Sequence, residues 1–177
     1  MDLNLKNFDN ISLENESLKD KNLTEKIFLN SNFDNTNFEN CNFMQAVFKN
    51  SKISSNNISN SLMEDTEFHQ SNLERISYVN TKKTRNFFEK CNLKNCVFNK
   101  TAMRGSIFND CSLNDISFKD CDLQKISFNN CELYDIKFSN CNLFMSNFMT
   151  ANFKGVLFEK CNIFLAKYKK TKELSII

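Results

Sequence analysis

Eight cysteines and one histidine are the side chains of this 177-residue chain best suited to nucleophilic, redox or metal chemistry. A cysteine nucleophile needs a base within hydrogen-bond reach, and a structural zinc site needs closely spaced pairs such as Cys-x-x-Cys. The cysteines at positions 41, 91, 96, 111, 121, 131, 141 and 161 are all separated by multiples of five, and no Cys-x-x-Cys pair occurs. His69 falls at a different place in the same period, so a Cys-His pair is not expected. With only Gly105 and Gly155, the chain also lacks a glycine-rich phosphate loop. These spacings argue against an enzyme, and they assign no catalytic, cofactor-binding or metal-binding residue and no cofactor.

The period of five explains where the cysteines are. Counted from Leu3, every fifth residue up to Tyr168 is large and apolar, with Lys83 the single exception. Such a period fits neither a helix, with 3.6 residues per turn, nor a flat strand, with a period of 2. It requires a chain that turns a corner every five residues, and a fixed repeat of this kind predicts a solenoid. If the apolar residue is called the centre, the place two before it is small or β-branched at most positions and holds all eight cysteines. They therefore point inward and are expected to be buried, reduced thiols that act as small hydrophobes. The place two after the centre is most often Asn, Asp or Gly, the residues that tolerate the positive φ of a tight corner.

The number of sides follows from a longer period. Between Cys111 and Cys141 the centres alternate Leu113, Phe118, Leu123, Phe128, Leu133, Phe138 and Leu143, and the small places alternate Cys and Ile in step. Three sides would set Leu over Phe in every vertical column. Four sides, with 20 residues per turn, keep like over like. One face then carries Phe8, Phe28, Phe48 and so on to Phe148 and Tyr168; another carries Leu73, Leu93, Leu113 and Leu133.

Stretches such as Cys91-Asn92-Leu93-Lys94-Asn95 and Cys141-Asn142-Leu143-Phe144-Met145 resemble the motif of the pentapeptide-repeat family: a small residue, Asn or Asp, Leu or Phe, then two variable residues. The resemblance implies an all-β fold, a right-handed quadrilateral parallel β-helix of about eight coils. Residues 1–30 are expected to form irregular, loosely built entry coils that double as a cap, because Lys6, Glu16, Lys21 and Lys26 occupy the small inward place. Residues 31–171 form the β-helix, and 172–177 a tail apolar enough to cover something. Lys83, between Met63 and Met103 in its column, is expected to snorkel outward through a local bulge in residues 81–88. Asn56 and Asn86, also at inward places, mark the same middle third as the least regular.

The start of the chain lacks the pattern of a secretory signal, and no apolar stretch is long enough to span a bilayer. A soluble, cytoplasmic protein with no membrane partner is expected. Phe144, Met145, Phe164 and Leu165 fall at outward places in neighbouring columns and form a candidate dimer interface, with cover by the tail as the other reading. The resemblance favours a homodimer, because several family members pair through their C-terminal ends.

Residues 1–80 carry 12 acidic and 7 basic side chains, net −5, and residues 81–177 carry 9 acidic and 16 basic, net +7. Some members of the family bind DNA gyrase or another type II topoisomerase by imitating duplex DNA, and so protect it from quinolones or toxins. The resemblance thus implies a non-enzymatic, rod-shaped binding module with such a partner, although the balance of +2 departs from the acidity of those relatives. The candidate acidic face is Glu14, Asp34, Glu74, Asp115, Glu132 and Asp135, interrupted by Lys52, Arg75 and Lys94. The alternatives are a scaffold for an unidentified protein, or nucleic-acid binding through Lys167, Lys169, Lys170 and Lys172. That basic run has no stacking aromatics interleaved with it, so nucleic acid is the less expected partner.

Overall fold

The computed structural model describes residues 4–177, so Leu3, where the apolar series starts, lies outside the described residues. The chain winds into stacked coils of 20 residues with four faces per coil, and every described strand pair is parallel. The first face is a seven-stranded sheet built from Asn7–Asp9, Ile27–Leu29, Val47–Lys49, Glu67–His69, Phe87–Glu89, Ile107–Asn109 and Ser127–Asn129. The second and third faces merge into one sheet, because the strands Ser112–Lys119 and Glu132–Ser139 run through the corner between them. The fourth face carries only isolated bridges, from Asn22 with Asn42 up to Asn142 with Asn162. Its turns close with bonds such as Ser106 N–H to Met103 O, 3.2 Å, and Ser146 N–H to Leu143 O, 3.0 Å.

The corners show why the repeat is five residues long. From Asn10 to Leu165 the residue two after each centre has a positive φ, between 49° and 68°, with Thr150 the one departure. A β-branched residue is the least tolerant of that conformation. At Thr150 the ladder adjusts, and its Oγ1 accepts the bond from Asn130 N–H at 2.9 Å. Elsewhere the corner N–H donates to the next coil, as Asp110 does to Asn129 O at 3.0 Å. Lys, Arg, Gln, Met and Leu also adopt the left-handed corner, at about 1 kcal/mol or more each.

Inside, the centres stack coil over coil. Phe68, Phe88 and Phe108 lie with ring centroids 4.8 and 4.3 Å apart and planes within 3° of parallel. Tyr78, Phe98, Phe118 and Phe138 also stack on the third face, at 4.7 to 4.8 Å with planes within 10° of parallel. Each thiol takes the hydrogen bond that serine makes at the same place. Cys111 Sγ donates to Asn109 O and Phe88 O, as Ser51 Oγ does to Lys49 O and Phe28 O. Seven of the cysteines are buried, and Cys161, in the last coil, is half-buried.

Several expectations change. The entry coil is not loosely built: Asn7–Asp9, Ser12–Glu14 and Ser17–Lys19 pair in the same 20-residue register as the rest. Lys6, Glu16 and Lys21 are exposed and Lys26 is half-buried, so these long side chains reach solvent from regular coils. The tail extends the third face instead of folding over the outward apolar patch. Leu174–Ile176 pairs with Val156–Glu159, with Leu174 opposite Val156, so this final turn is 18 residues long.

Lys83 does not snorkel and there is no bulge. Its N–H donates to Ala102 O at 2.7 Å, Lys82 bridges to Ala102, and its side chain is fully buried. The Nζ lies 4.1 Å from the centroid of the Tyr78 ring, 5.2 and 5.4 Å from those of Phe68 and Phe88, and 3.6 Å from Met63 Sδ. The in-register ladder fixes the direction of its Cα–Cβ bond, so the amine stays inside. Asn56 and Asn86 likewise occupy regular coils. Their Oδ1 atoms accept the N–H groups of Thr36 and Thr66 at 2.8 and 3.0 Å, while each Nδ2 is buried without a partner.

Candidate binding surfaces

No group of three or more His, Cys, Asp or Glu side chains able to hold a metal ion occurs among the described residues. His69 is outward on the first face, with Glu67 2.8 Å from Nε2 and Glu89 3.1 Å from Nδ1. Partial burial pulls its imidazole down, but the two carboxylates outweigh that and leave it above its ordinary value. Most of the shifted thiols are held up and are poor nucleophiles, while Cys121 is drawn down by its hydrogen bond with Cys141 against its burial. Burial pushes Cys96 up to about 11, and its hydrogen bond with Cys131, with burial behind it, pushes Cys111 up to about 12. What the rod offers is surface.

The six acidic candidates all lie on the second face. Glu14, Asp34 and Glu74 fall in one vertical column, because Glu14 is opposite Asp34 and both Asp34 and Glu74 are opposite Ser54. Asp115 and Asp135 are corner residues of that face, and Glu132 begins its strand in the seventh coil. Lys52 and Lys94 lie in other strands of the same face, and Arg75 is paired with Glu74. The face is therefore negative at its two ends and close to neutral in its middle, with asparagines between. Asn92 donates to Asn72 at 3.0 Å, and Asn152 to Glu132 at 2.7 Å.

Phe144, Met145, Phe164 and Leu165 come together at the C-terminal end of the fourth face, with no part of the tail paired over them. Phe164, Leu165 and Met145 are 66%, 56% and 46% exposed. The Phe144 and Phe164 rings are 6.1 Å apart and within 20° of parallel. Both are held by turns in which Asn142 and Asn162 Oδ1 accept the Phe144 and Phe164 N–H groups at 3.2 and 3.1 Å.

The fourth face also holds residues that sequence reasoning passed over. Thr84, Arg85, Arg104, Gly105, Gln124 and Lys125 line an open groove. In the ladder, Arg104, Gln124, Phe144 and Phe164 stand one above another, as the bridges from Ala102 through Asp122 and Asn142 to Asn162 show. Arg85 is engaged by Asp65 at 2.8 Å and Arg104 by Asp122, while Lys125 has no carboxylate within ion-pair distance among the described residues. The signal was available as a spacing of 20 between residues, which places them on adjacent coils.

The comparisons with known proteins agree with this architecture. The family described as pentapeptide repeat region matches residues 83–167, and that described as pentapeptide repeats (8 copies) matches residues 17–50. A search of curated proteins finds no match. Among solved structures, two trypsin-treated variants of QnrB1, described as a plasmid-mediated fluoroquinolone resistance protein, are similar to this chain. The first is 15% identical with a TM-score of 0.59, covering 91% of this chain and 92% of QnrB1. The second is 15% identical with a TM-score of 0.54, covering 93% and 92%. With a 20-residue coil kept from the first face to the last and repeat matches that together span more than half of its length, the chain belongs to the pentapeptide-repeat family.

Proposed function

We propose that this protein is a non-enzymatic, rod-shaped binding module of the cytoplasm and that its partner is DNA gyrase or another type II topoisomerase, engaged through the second face as an imitation of duplex DNA. The observation that carries the reading is the gathering of Glu14, Asp34, Glu74, Asp115, Glu132 and Asp135 onto one side of a straight rod about 40 Å long. These residues are up to 121 positions apart, and only the four-sided winding places them together. Carboxylates at both ends of one face steer it toward a basic surface, which a DNA-binding saddle must have. The fold likeness to QnrB1 supports the reading at the level of the scaffold.

The test is a supercoiling assay with purified gyrase, with and without a fluoroquinolone. Wild-type protein is expected to inhibit supercoiling or to relieve drug-induced cleavage, and added salt to weaken the effect. Asp115→Lys with Asp135→Lys removes it, since both are exposed corner residues whose exchange leaves the coil intact. Wild-type protein with no effect at micromolar concentrations sinks the reading and leaves a scaffold for another protein.

A further inference from the structure

The fourth face, opposite the acidic one, combines two features that the sequence keeps apart. Arg85, Arg104 and Lys125 border an open groove; Asp65 and Asp122 pair with the two arginines, and Lys125 has no carboxylate within ion-pair distance among the described residues. Farther along the same column stand the exposed ring of Phe164 and, nearly parallel to it, the half-buried ring of Phe144, flanked by Met145 and Leu165. Three coil steps separate Arg104 from Phe164, about 14 Å at the usual strand spacing. Around the corner on the first face, the last coil adds exposed Lys167 and Lys169.

This surround decides between possible occupants. A second copy related by a two-fold axis through the patch would bring Lys167 and Lys169, which stand beside it, toward the basic end of its partner. Like charges at close quarters oppose that pairing. An anionic polymer with planar apolar groups satisfies both features at once. Single-stranded nucleic acid has that chemistry, because its phosphates suit a cationic groove and its bases stack on exposed aromatic rings.

We propose that the fourth face from Arg85 to Phe164 binds single-stranded nucleic acid, with Arg85, Arg104 and Lys125 taking phosphates and Phe164, backed by Phe144, stacking a base. The 6.1 Å between the two rings exceeds the 4.3 to 5.2 Å of the parallel Phe stacks inside the rod, so the outer pair is less closely stacked than the core. The asparagine-capped turns beneath both residues hold the rings in place before a ligand arrives. The lysine run from Lys167 to Lys172 is thereby given the aromatic neighbours that it lacks in the linear sequence.

Fluorescence anisotropy with a labelled oligothymidine of about 15 nucleotides, compared with a duplex of the same length, tests the proposal. The single strand is expected to bind at low salt and at least tenfold tighter than the duplex. Phe144→Ala with Phe164→Ala weakens binding about tenfold, in line with the loss of one stacked base. Arg104→Glu with Lys125→Glu weakens it and flattens its salt dependence. Asp115→Lys with Asp135→Lys, on the opposite face, leaves it unchanged, so this proposal and the topoisomerase reading fail separately. No binding at tens of micromolar, equal binding of duplex with no effect of the Phe changes, or binding of anionic vesicles but not of the oligonucleotide would each overturn it. So would a wild-type dimer that Phe164→Lys dissociates and that binds no oligonucleotide.

Discussion

Replacing Lys83 by methionine should stabilise the rod, by an amount that depends on pH in a calculable way. The amine is fully buried among Tyr78, Phe68, Phe88 and Met63, with no carboxylate in reach, and burial pulls it from 10.5 down to about 7. In the unfolded chain it regains its ordinary value. Between these two values the unfolded chain binds a proton that the folded chain does not, so stability rises with pH. The full cost, present below about pH 7, is the difference of 3.5 units at 1.36 kcal/mol each, about 5 kcal/mol. At pH 7 it is about 4 kcal/mol, at pH 9 about 2, and above 10.5 it vanishes.

Methionine occupies the positions below and above in this column, Met63 and Met103, so Lys83→Met keeps the volume and removes the charge. Urea melts should show the variant more stable by about 4 kcal/mol at pH 7 and by about 2 at pH 9, which corresponds to a rise in Tm of roughly 8 to 16 °C at pH 7. The difference between variant and wild type is the quantity to read, because the other titrating groups cancel in it. His69, raised by its carboxylates, stabilises at low pH and loses that contribution as pH rises through its folded value. The thiols held above 9 lower stability in alkali, since the unfolded chain loses their protons first. Lys82→Met, one residue away but exposed, should be nearly neutral. A Lys83→Met protein no more stable than wild type at pH 7, or one whose advantage is the same at pH 9, refutes the reasoning.

Other consequences follow from the same geometry. Phe128→Asp places a carboxylate between the stacked rings of Phe108 and Phe148 and should prevent cooperative folding, whereas Asn129→Asp on the outside should cost only about 1 kcal/mol in a thermal melt, through loss of its amide bond to Asn109 Oδ1. A thiol reagent should modify Cys161 first and the seven buried cysteines only as fast as the rod unfolds, and denatured protein should titrate eight thiols without reductant. Gly155→Ala should cost about 1 to 2 kcal/mol in denaturant melts, because φ is +68° there and the new methyl would press on the Asp135 carboxylate. Asn86→Ser should be stabilising by about 1 kcal/mol: serine accepts the same backbone bond, as Ser106 does from Asn86 N–H, and leaves no buried amide orphaned.

The period of five makes the Phe columns, the inward thiols and the positive-φ corners legible in the sequence, because each depends only on position within the repeat. Lys83 departs from its expected outward course for a physical reason. Burying an amine is costly, which suggests escape, but the ladder on either side of it holds a single register and escape would break several backbone bonds at once. The tail is legible as apolar and not as a strand, since pairing Leu174 with Val156 needs a turn two residues shorter than every other. The acidic candidates share one face, as their spacing implies, but the pairing of Arg75 with Glu74 and the neutral stretch of asparagines emerge only from side-chain geometry. The line of Arg104 with Phe144 and Phe164 is invisible to a reading that seeks neighbours along the chain instead of 20 residues away.

The central claim is that the second face takes the place of duplex DNA on a topoisomerase. The most direct measurement is competition: labelled rod bound to gyrase, titrated with unlabelled duplex DNA and followed by anisotropy. If the rod occupies the seat of DNA, duplex displaces it fully, and Asp115→Lys with Asp135→Lys protein fails to bind at all. A complex in which gyrase holds rod and duplex together, or no complex at micromolar concentrations, contradicts the claim.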